Sequence, residues 1–182
     1  MLEDAVSADT PRTVAVVGAG LFGTSWAALF SSVEGKEVAV WDPDPTVKAK
    51  VQVHVAEASC QLAVLGLVQP ECVRVVETLE EAIEGADFFQ ENAPKALALK
   101  RDLDRRLEQI ARPDVVLASS TSAFCWSELT DGMSTRSRLV TTHPFNPPHL
   151  IHIANRLSSA LWREAVSLVA DGVTSPADVD AA

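Results

Sequence analysis

The sequence predicts an α/β fold built on a doubly wound parallel sheet. Three observations carry this. A β-branched run stops at a glycine turn that opens a helix, short apolar runs recur between helical segments, and turn residues cluster where those runs end. Thr13 to Val17 is the first run, continuous in apolar character as a strand buried on both faces should be. Leu21 to Ser32 follows, with Leu21, Trp26, Ala28, Leu29 and Phe30 at helical spacings. Glu37 to Trp41 is a second strand, ended by Asp42-Pro43-Asp44-Pro45. Val47 to about Leu67 predicts a long helix or a helical pair. Val73 to Val76 and Phe88-Phe89 are further strands, separated by an acidic helix around Glu80 to Ile83. Pro94 to Ala111 reads as a helix, and Val115 to Ala118 and Leu139 to Thr142 as the last two strands.

Hydrophobic residues make up 47% of the 182 residues and charged residues 22%, a balance that supports one globular domain of ordinary size. The formal net charge of −10 argues against a nucleic-acid partner, because no basic stripe offsets it. The densest basic stretch, Lys100-Arg101 and Arg105-Arg106, alternates with Asp102, Asp104 and Glu108 and predicts a solvated helix face. Cys60, Cys72 and Cys125 form neither a pairing nor a metal-ligand spacing, which points to a reduced compartment and no metal. The first ten residues lack the apolar core of a signal peptide, and no apolar run is long enough to span a bilayer. A cytoplasmic protein without a membrane partner is expected.

Gly18-Ala19-Gly20-Leu21-Phe22-Gly23 is G-x-G-x-x-G, placed between a strand and a helix. Gly18 allows the tight turn, Gly20 lets backbone approach a pyrophosphate, and Gly23 lets the helix pack close to the strand. The helix start at Leu21 and Phe22 supplies amide donors. Asp42 follows Gly23 by roughly twenty residues at the end of the second strand, where a carboxylate reaches ribose hydroxyls and repels a 2′-phosphate. This reads as a Rossmann-type unit for NAD. In such sheets ligands gather beyond the carboxyl ends of the strands. Two segments lie there: Ser119-Ser120-Thr121-Ser122, and His143-Pro144-Phe145-Asn146-Pro147-Pro148, whose histidine is placed to exchange a proton with a hydroxyl. A capping serine cluster and a structural loop histidine are equally consistent with position alone. After Pro148, Ala154 to Asp171 is an amphipathic helix ended by Gly172.

The strings VVGAGLFGTSWA, QENAPKALALK, SSTS, HPFNPPHLI and ANRLSSALWREA together resemble the 3-hydroxyacyl-CoA dehydrogenase family. The SSTS and HPFNPP forms are most similar to its lambda-crystallin (L-gulonate 3-dehydrogenase) and carnitine 3-dehydrogenase branch. The resemblance implies oxidation of the 3-hydroxyl of a 3-hydroxyacyl-CoA or related 3-hydroxy acid, with NAD as cofactor and a place in fatty acid metabolism. It implies His143 as general base, Ser122 and Asn155 as hydrogen-bonding partners of the substrate oxygen, and Lys100 near the cofactor. It divides the chain into an NAD-binding domain over residues 1–153, its sheet incomplete relative to the family, and a remnant of the helical substrate and dimerisation domain over residues 154–182. A homodimer is the family's arrangement.

Three departures stand out. The family continues HPFNPPHLI into a P-L-V-E segment whose glutamate pairs with the histidine, and then into further strand and helix. This chain passes from Ile151 directly to His152-Ile153-Ala154-Asn155, with Asn155 where the glutamate falls by count. A carboxylate partner fixes the tautomer of an imidazole and favours its protonated form, and acid–base assistance is worth about 10²–10⁴-fold. Asp131 substitutes only if the fold brings it near. Second, Lys95 stands where the family has an acidic residue after E-x-x-P. Third, the helical domain is reduced to one helix and a stub. The sequence therefore supports an NAD-dependent dehydrogenase, a non-catalytic NAD(H)-binding pseudoenzyme or fragment, or an aberrant product of a longer gene, through a skipped exon or a faulty gene model, joined at Ile151/His152.

Overall fold

In the computed structural model, β1 (Thr13–Val17) sends Val14 and Val16 to one face of a sheet and Ala15 and Val17 to the other, and all four are buried. That is the period-two consequence of the pleat in a strand covered on both sides. The structure describes residues 11–66, 73–150 and Ser175. The chain divides into two compact units, residues 1–149 and 150–182, and the sheet lies in the first. The expected helix over Ala154 to Asp171, and with it Asn155, lies outside the described residues.

Six strands pair in the order β3-β2-β1-β4-β5-β6, every pair parallel. The others are β2 (Glu37–Trp41), β3 (Val73–Val75), β4 (Phe88–Glu91), β5 (Val116–Ser119) and β6 (Leu139–Thr141). This is the doubly wound dinucleotide-binding order, with its reversal between β1 and β4. Six strands of that order are present among the described residues.

One face carries α1 (Leu21–Ser31) and α3 (Val51–Val64), whose Ala27, Ala28, Val51, Val55 and Leu62 close a core over Val14, Val16, Val38 and Val40. The other carries α4 (Leu79–Ile83), α5 (Leu97–Ile110) and α6 (Trp126–Leu129), which bury Leu79, Ile83, Leu107 and Leu129 against Val17, Phe89 and Leu117. The expected long helix after β2 is a pair: a short α2 (Pro45–Lys48), capped by Asp44 accepting from Thr46 N at 2.7 Å, precedes α3. The acidic helix α4 starts in a capping box of Thr78 and Glu81. α5 starts at Leu97 rather than Pro94, whose carbonyl instead accepts from Ala96 N.

The basic–acidic stretch of α5 departs from expectation. Arg101, Asp102 and Arg106 lie on its outer side, but Lys100 and Asp104 are only 2% and 0% exposed. Lys100, Leu103, Asp104 and Leu107 fall at i, i+3, i+4 and i+7, the spacing of a core-facing stripe. The solvated face therefore covers only part of the helix, and two charged residues occupy its inward side.

Candidate active site

The turn after β1 is fixed by contacts that exclude side chains. Gly18 has φ +89°, and a Cβ there would meet the Asn92 carbonyl carbon at 2.9 Å. A Cβ at Gly23, on the first turn of α1, would lie 1.9 Å from the Gly18 carbonyl oxygen. Above Gly20 a Cβ would meet nothing within 4 Å, so the backbone there faces open space. Gly20 caps α1 without a side-chain hydrogen bond, and the first turn, opened by Leu21 and Phe22, holds no acidic residue. Its amides are left available to an anion, with the positive end of the helix dipole behind them.

Asp42, one residue past β2, ties this turn down. Its Oδ2 accepts from Ala19 N at 2.8 Å and its Oδ1 from Asp44 N at 2.9 Å. Each oxygen keeps a lone pair for a ribose hydroxyl. Asp42 and Gly20 lie on a cleft of about 650 Å³ whose walls include Trp41, Val47, Pro94, Leu99 and Leu103. An apolar slot ending in a carboxylate suits an adenosine. The cleft's one cationic side chain among these described residues, Arg106, is paired with Glu80, whereas Asp42 places a carboxylate that would repel a 2′-phosphate. The residues present fit NAD.

Lys100 does not line this cleft. Its Nζ donates to both oxygens of Glu91, at 2.8 and 2.9 Å, and both side chains are buried. Glu91 also accepts from Ala93 N and from the Ser119 hydroxyl. Lys100 thus reaches the cleft only through Glu91, which braces the Ala93 wall. Asp104, one turn along α5, has no hydrogen-bond partner on either oxygen. Burial pushes its carboxyl up to about 7, with Glu91 adding to the shift and Lys100 opposing it.

Beyond β4, β5 and β6 a polar network joins the strand ends. The Ser120 hydroxyl donates to Asn92 Oδ1 at 2.7 Å and accepts from Gln90 Nε2 at 2.8 Å and Trp26 Nε1 at 3.2 Å. Gln90 Nε2 also donates to the Thr142 hydroxyl at 3.1 Å. His143 is exposed, and its Nδ1 lies 2.9 Å from the Ser120 carbonyl oxygen. A carbonyl can only accept, so Nδ1 carries a hydrogen, and in the neutral ring the lone pair is on Nε2. No carboxylate pairs with His143 among the described residues, and Asp131 pairs instead with Arg101 at 3.3 Å. Ser122 is exposed on the loop after β5, three residues past its end, and Lys95 is exposed at the start of the α5 loop. The structure therefore joins His143 to Ser120. Ser120 belongs to the Ser119–Ser122 segment expected at the site, whereas Gln90, Asn92 and Thr142 were not singled out, although polar residues closing three adjacent apolar strands were a usable signal.

Residues 13–158 match the family model described as 3-hydroxyacyl-CoA dehydrogenase, NAD binding domain. The chain belongs to the 3-hydroxyacyl-CoA dehydrogenase family. It is 37% identical to an L-carnitine dehydrogenase of Streptomyces coelicolor, over 96% of this chain and 68% of that protein. It is 35% identical to one of Pseudomonas aeruginosa, over 93% and 65%. Among solved structures it is similar to an NAD+-dependent 5-formyl-3-hydroxy-2-methylpyridine 4-carboxylic acid 5-dehydrogenase, with a TM-score of 0.71 and 27% identity over 94% of this chain and 69% of that one. The fold is shared with 3-hydroxybutyryl-CoA dehydrogenase of Escherichia coli, with a TM-score of 0.68 at 21% identity over 78% of this chain and 31% of that one. The cofactor of this domain is NAD. The chain spans about two thirds of the length of the curated relatives it matches. The Streptomyces alignment runs over 216 positions, whereas 96% of 182 residues is about 175, so about 41 positions of the relative face no residue here.

Among the described residues no helix is long and apolar enough to cross a membrane.

Proposed function

We propose that this chain uses NAD to oxidise the 3-hydroxyl of a small 3-hydroxy acid of the carnitine type, or of a 3-hydroxyacyl-CoA, with His143 taking the hydroxyl proton. The observation that carries the reading is the contact of His143 Nδ1 with the Ser120 carbonyl, because in the neutral ring it directs the basic lone pair to Nε2 beyond β6. The bound nicotinamide supplies the hydride acceptor. Gly18, Gly20, Leu21, Phe22, Gly23 and Asp42 hold the cofactor: the glycines and the α1 amides take the pyrophosphate, and Asp42 takes the ribose. Lys100 supports that cleft through Glu91. In oxidation Nε2 accepts the proton of the substrate hydroxyl as the carbonyl forms, and in reduction it returns that proton. Ser122 and Asn155 are proposed to hydrogen-bond the same oxygen, as the family resemblance suggests. The carnitine-type substrate is favoured because curated relatives at 35–37% identity are named L-carnitine dehydrogenases.

A second reading, an NAD(H)-binding protein without turnover, is favoured by the lack of a carboxylate partner of His143 among the described residues and by the positions that lack a counterpart. One experiment separates the two. NADH formation is measured with L-carnitine, related 3-hydroxy acids and 3-hydroxyacyl-CoA, alongside NADH binding by calorimetry. Turnover that His143→Asn lowers by about 10²–10⁴-fold with NADH affinity unchanged supports the dehydrogenase. Binding without turnover on any of these substrates supports the second reading, and no binding overturns both.

A further inference from the structure

The loop after β6 runs from Thr142 to His149 and alternates between exposed and anchored residues. His143, Phe145 and Asn146 are exposed, whereas Pro144, Pro148 and His149 are buried. At its start the ring of His143 is tied to the Ser120 carbonyl. At its far end His149 is 6% exposed and its Nε2 lies 2.7 Å from Oε1 of Gln61, on the last turn of α3. An amide oxygen only accepts, so Nε2–H donates to it. The other ring nitrogen of His149, Nδ1, is buried with no partner. Around this contact lies a cavity of about 530 Å³ between α1, α3 and the loop, lined among others by Leu21, Thr24, Glu57, Gln61, Pro147 and His149. The far end of the loop is held by the packing of the buried Pro148 and His149 and by the directional hydrogen bond from His149 to Gln61.

We propose that His149 is a positioning residue: by donating to Gln61 it latches the loop onto α3 and so sets the place of His143. This rests on the role given to His143 above. Gln61 does not line the Asp42 cleft but shares the cavity of His149 with Ala19, Gly20 and Leu21, so unchanged NADH affinity in its variants is what separates an effect through His149 and the loop from one on the cofactor turn. Burial lowers the readiness of His149 to take a proton, which keeps the ring neutral and suited to a lone donor contact.

The test uses the full chain and a residue that can be changed without touching the core, since Gln61 is exposed on the helix surface. Nitrogen-15 spectra of the four histidines, His54, His143, His149 and His152, report which ring nitrogen of each carries hydrogen. The wild type is expected to show His143 fixed as the Nδ1–H form. Gln61→Ala is expected to average that signature between the two tautomers, and Gln61→Glu, which keeps an acceptor for Nε2–H, to restore it. NADH affinity and the unfolding midpoint stay unchanged in both. Where turnover is measured, Gln61→Ala lowers kcat by about 10- to 100-fold with KM for NAD unchanged. An unaltered His143 signature in Gln61→Ala overturns the proposal. So does a Gln61→Glu variant that fails to restore it, or a loss of NADH affinity and folding together with the signature. Because the spectra need no turnover, an inactive wild type counts against the dehydrogenase reading alone.

Discussion

Asp104 makes the stability of this fold depend on pH in an unusual direction. The carboxyl is 0% exposed, neither oxygen has a hydrogen-bond partner, and its ionised form would face Glu91, whose charge Lys100 already pairs. Its pKa of about 7 compares with 3.8 for an unburied aspartate. A shift of roughly three units corresponds to about 4 kcal/mol, an upper figure before relaxation. The folded chain holds the proton more tightly than the unfolded chain. The contribution is therefore complete below pH 4, declines as pH rises towards 7, and is gone above it. Asp44, Glu80 and Asp87, whose carboxyls hydrogen bonds hold below the usual range, act in the opposite sense but finish titrating at lower pH. Asp104→Asn keeps the shape and cannot ionise. Urea unfolding of both proteins from pH 5 to 8 is expected to show the wild type losing stability relative to the variant, at up to about 1.4 kcal/mol per pH unit between 5 and 7. Parallel curves across that range would show that Asp104 does not ionise on unfolding, and the reasoning would fail.

Lys100→Met leaves Glu91 buried with only Ala93 N and the Ser119 hydroxyl, and the loss is expected to be about 3–5 kcal/mol by urea unfolding, far beyond a surface change. Asp42→Ala removes the acceptor of two backbone amides and of the ribose. Calorimetry should find NADH affinity lower by about 10-fold or more and the preference over NADPH reduced. Gly23→Ala drives a Cβ into the Gly18 carbonyl, and both the unfolding midpoint and NADH affinity should fall, at a cost of about 1–3 kcal/mol in stability.

The sheet was legible because burial on both faces makes a strand continuously apolar, and Val14 to Val17 and Val38 to Val40 show no polar interruption. The cofactor turn was legible because steric exclusion at Gly18 and Gly23 admits only glycine, so the requirement is written at fixed positions. α6 was missed because four residues hold barely one turn of periodicity, and its cap is a cysteine, a weak capping residue. The inward side of α5 was misread for another reason. Charge alternation along the chain says nothing of which residues share a face, and only the i, i+4 relation of Lys100 to Asp104 reveals a buried pair of opposite formal sign. The partner of His143 was beyond sequence reasoning altogether, since it is a backbone carbonyl and any residue at position 120 supplies one.

That carbonyl also changes what the missing glutamate costs. In a serine–histidine–aspartate triad, replacing the carboxylate by an amide lowers the rate by about 10⁴-fold, largely because the imidazole then takes the wrong tautomer. The carboxylate does two separable things, holding the hydrogen on one ring nitrogen and stabilising the charge that develops when the other accepts a proton. Ser120 performs the first, because its carbonyl oxygen can only accept. It brings no formal charge, so the second is reduced to the attraction of a dipole. The rate lost with the glutamate is then the electrostatic share alone, and His143 keeps the orientation a base requires. With His143 as the base proposed above, the departure at Ile151/His152 would weaken the acid–base step without abolishing it, and the proposed cofactor residues Gly18 to Gly23 and Asp42 all precede it in the chain.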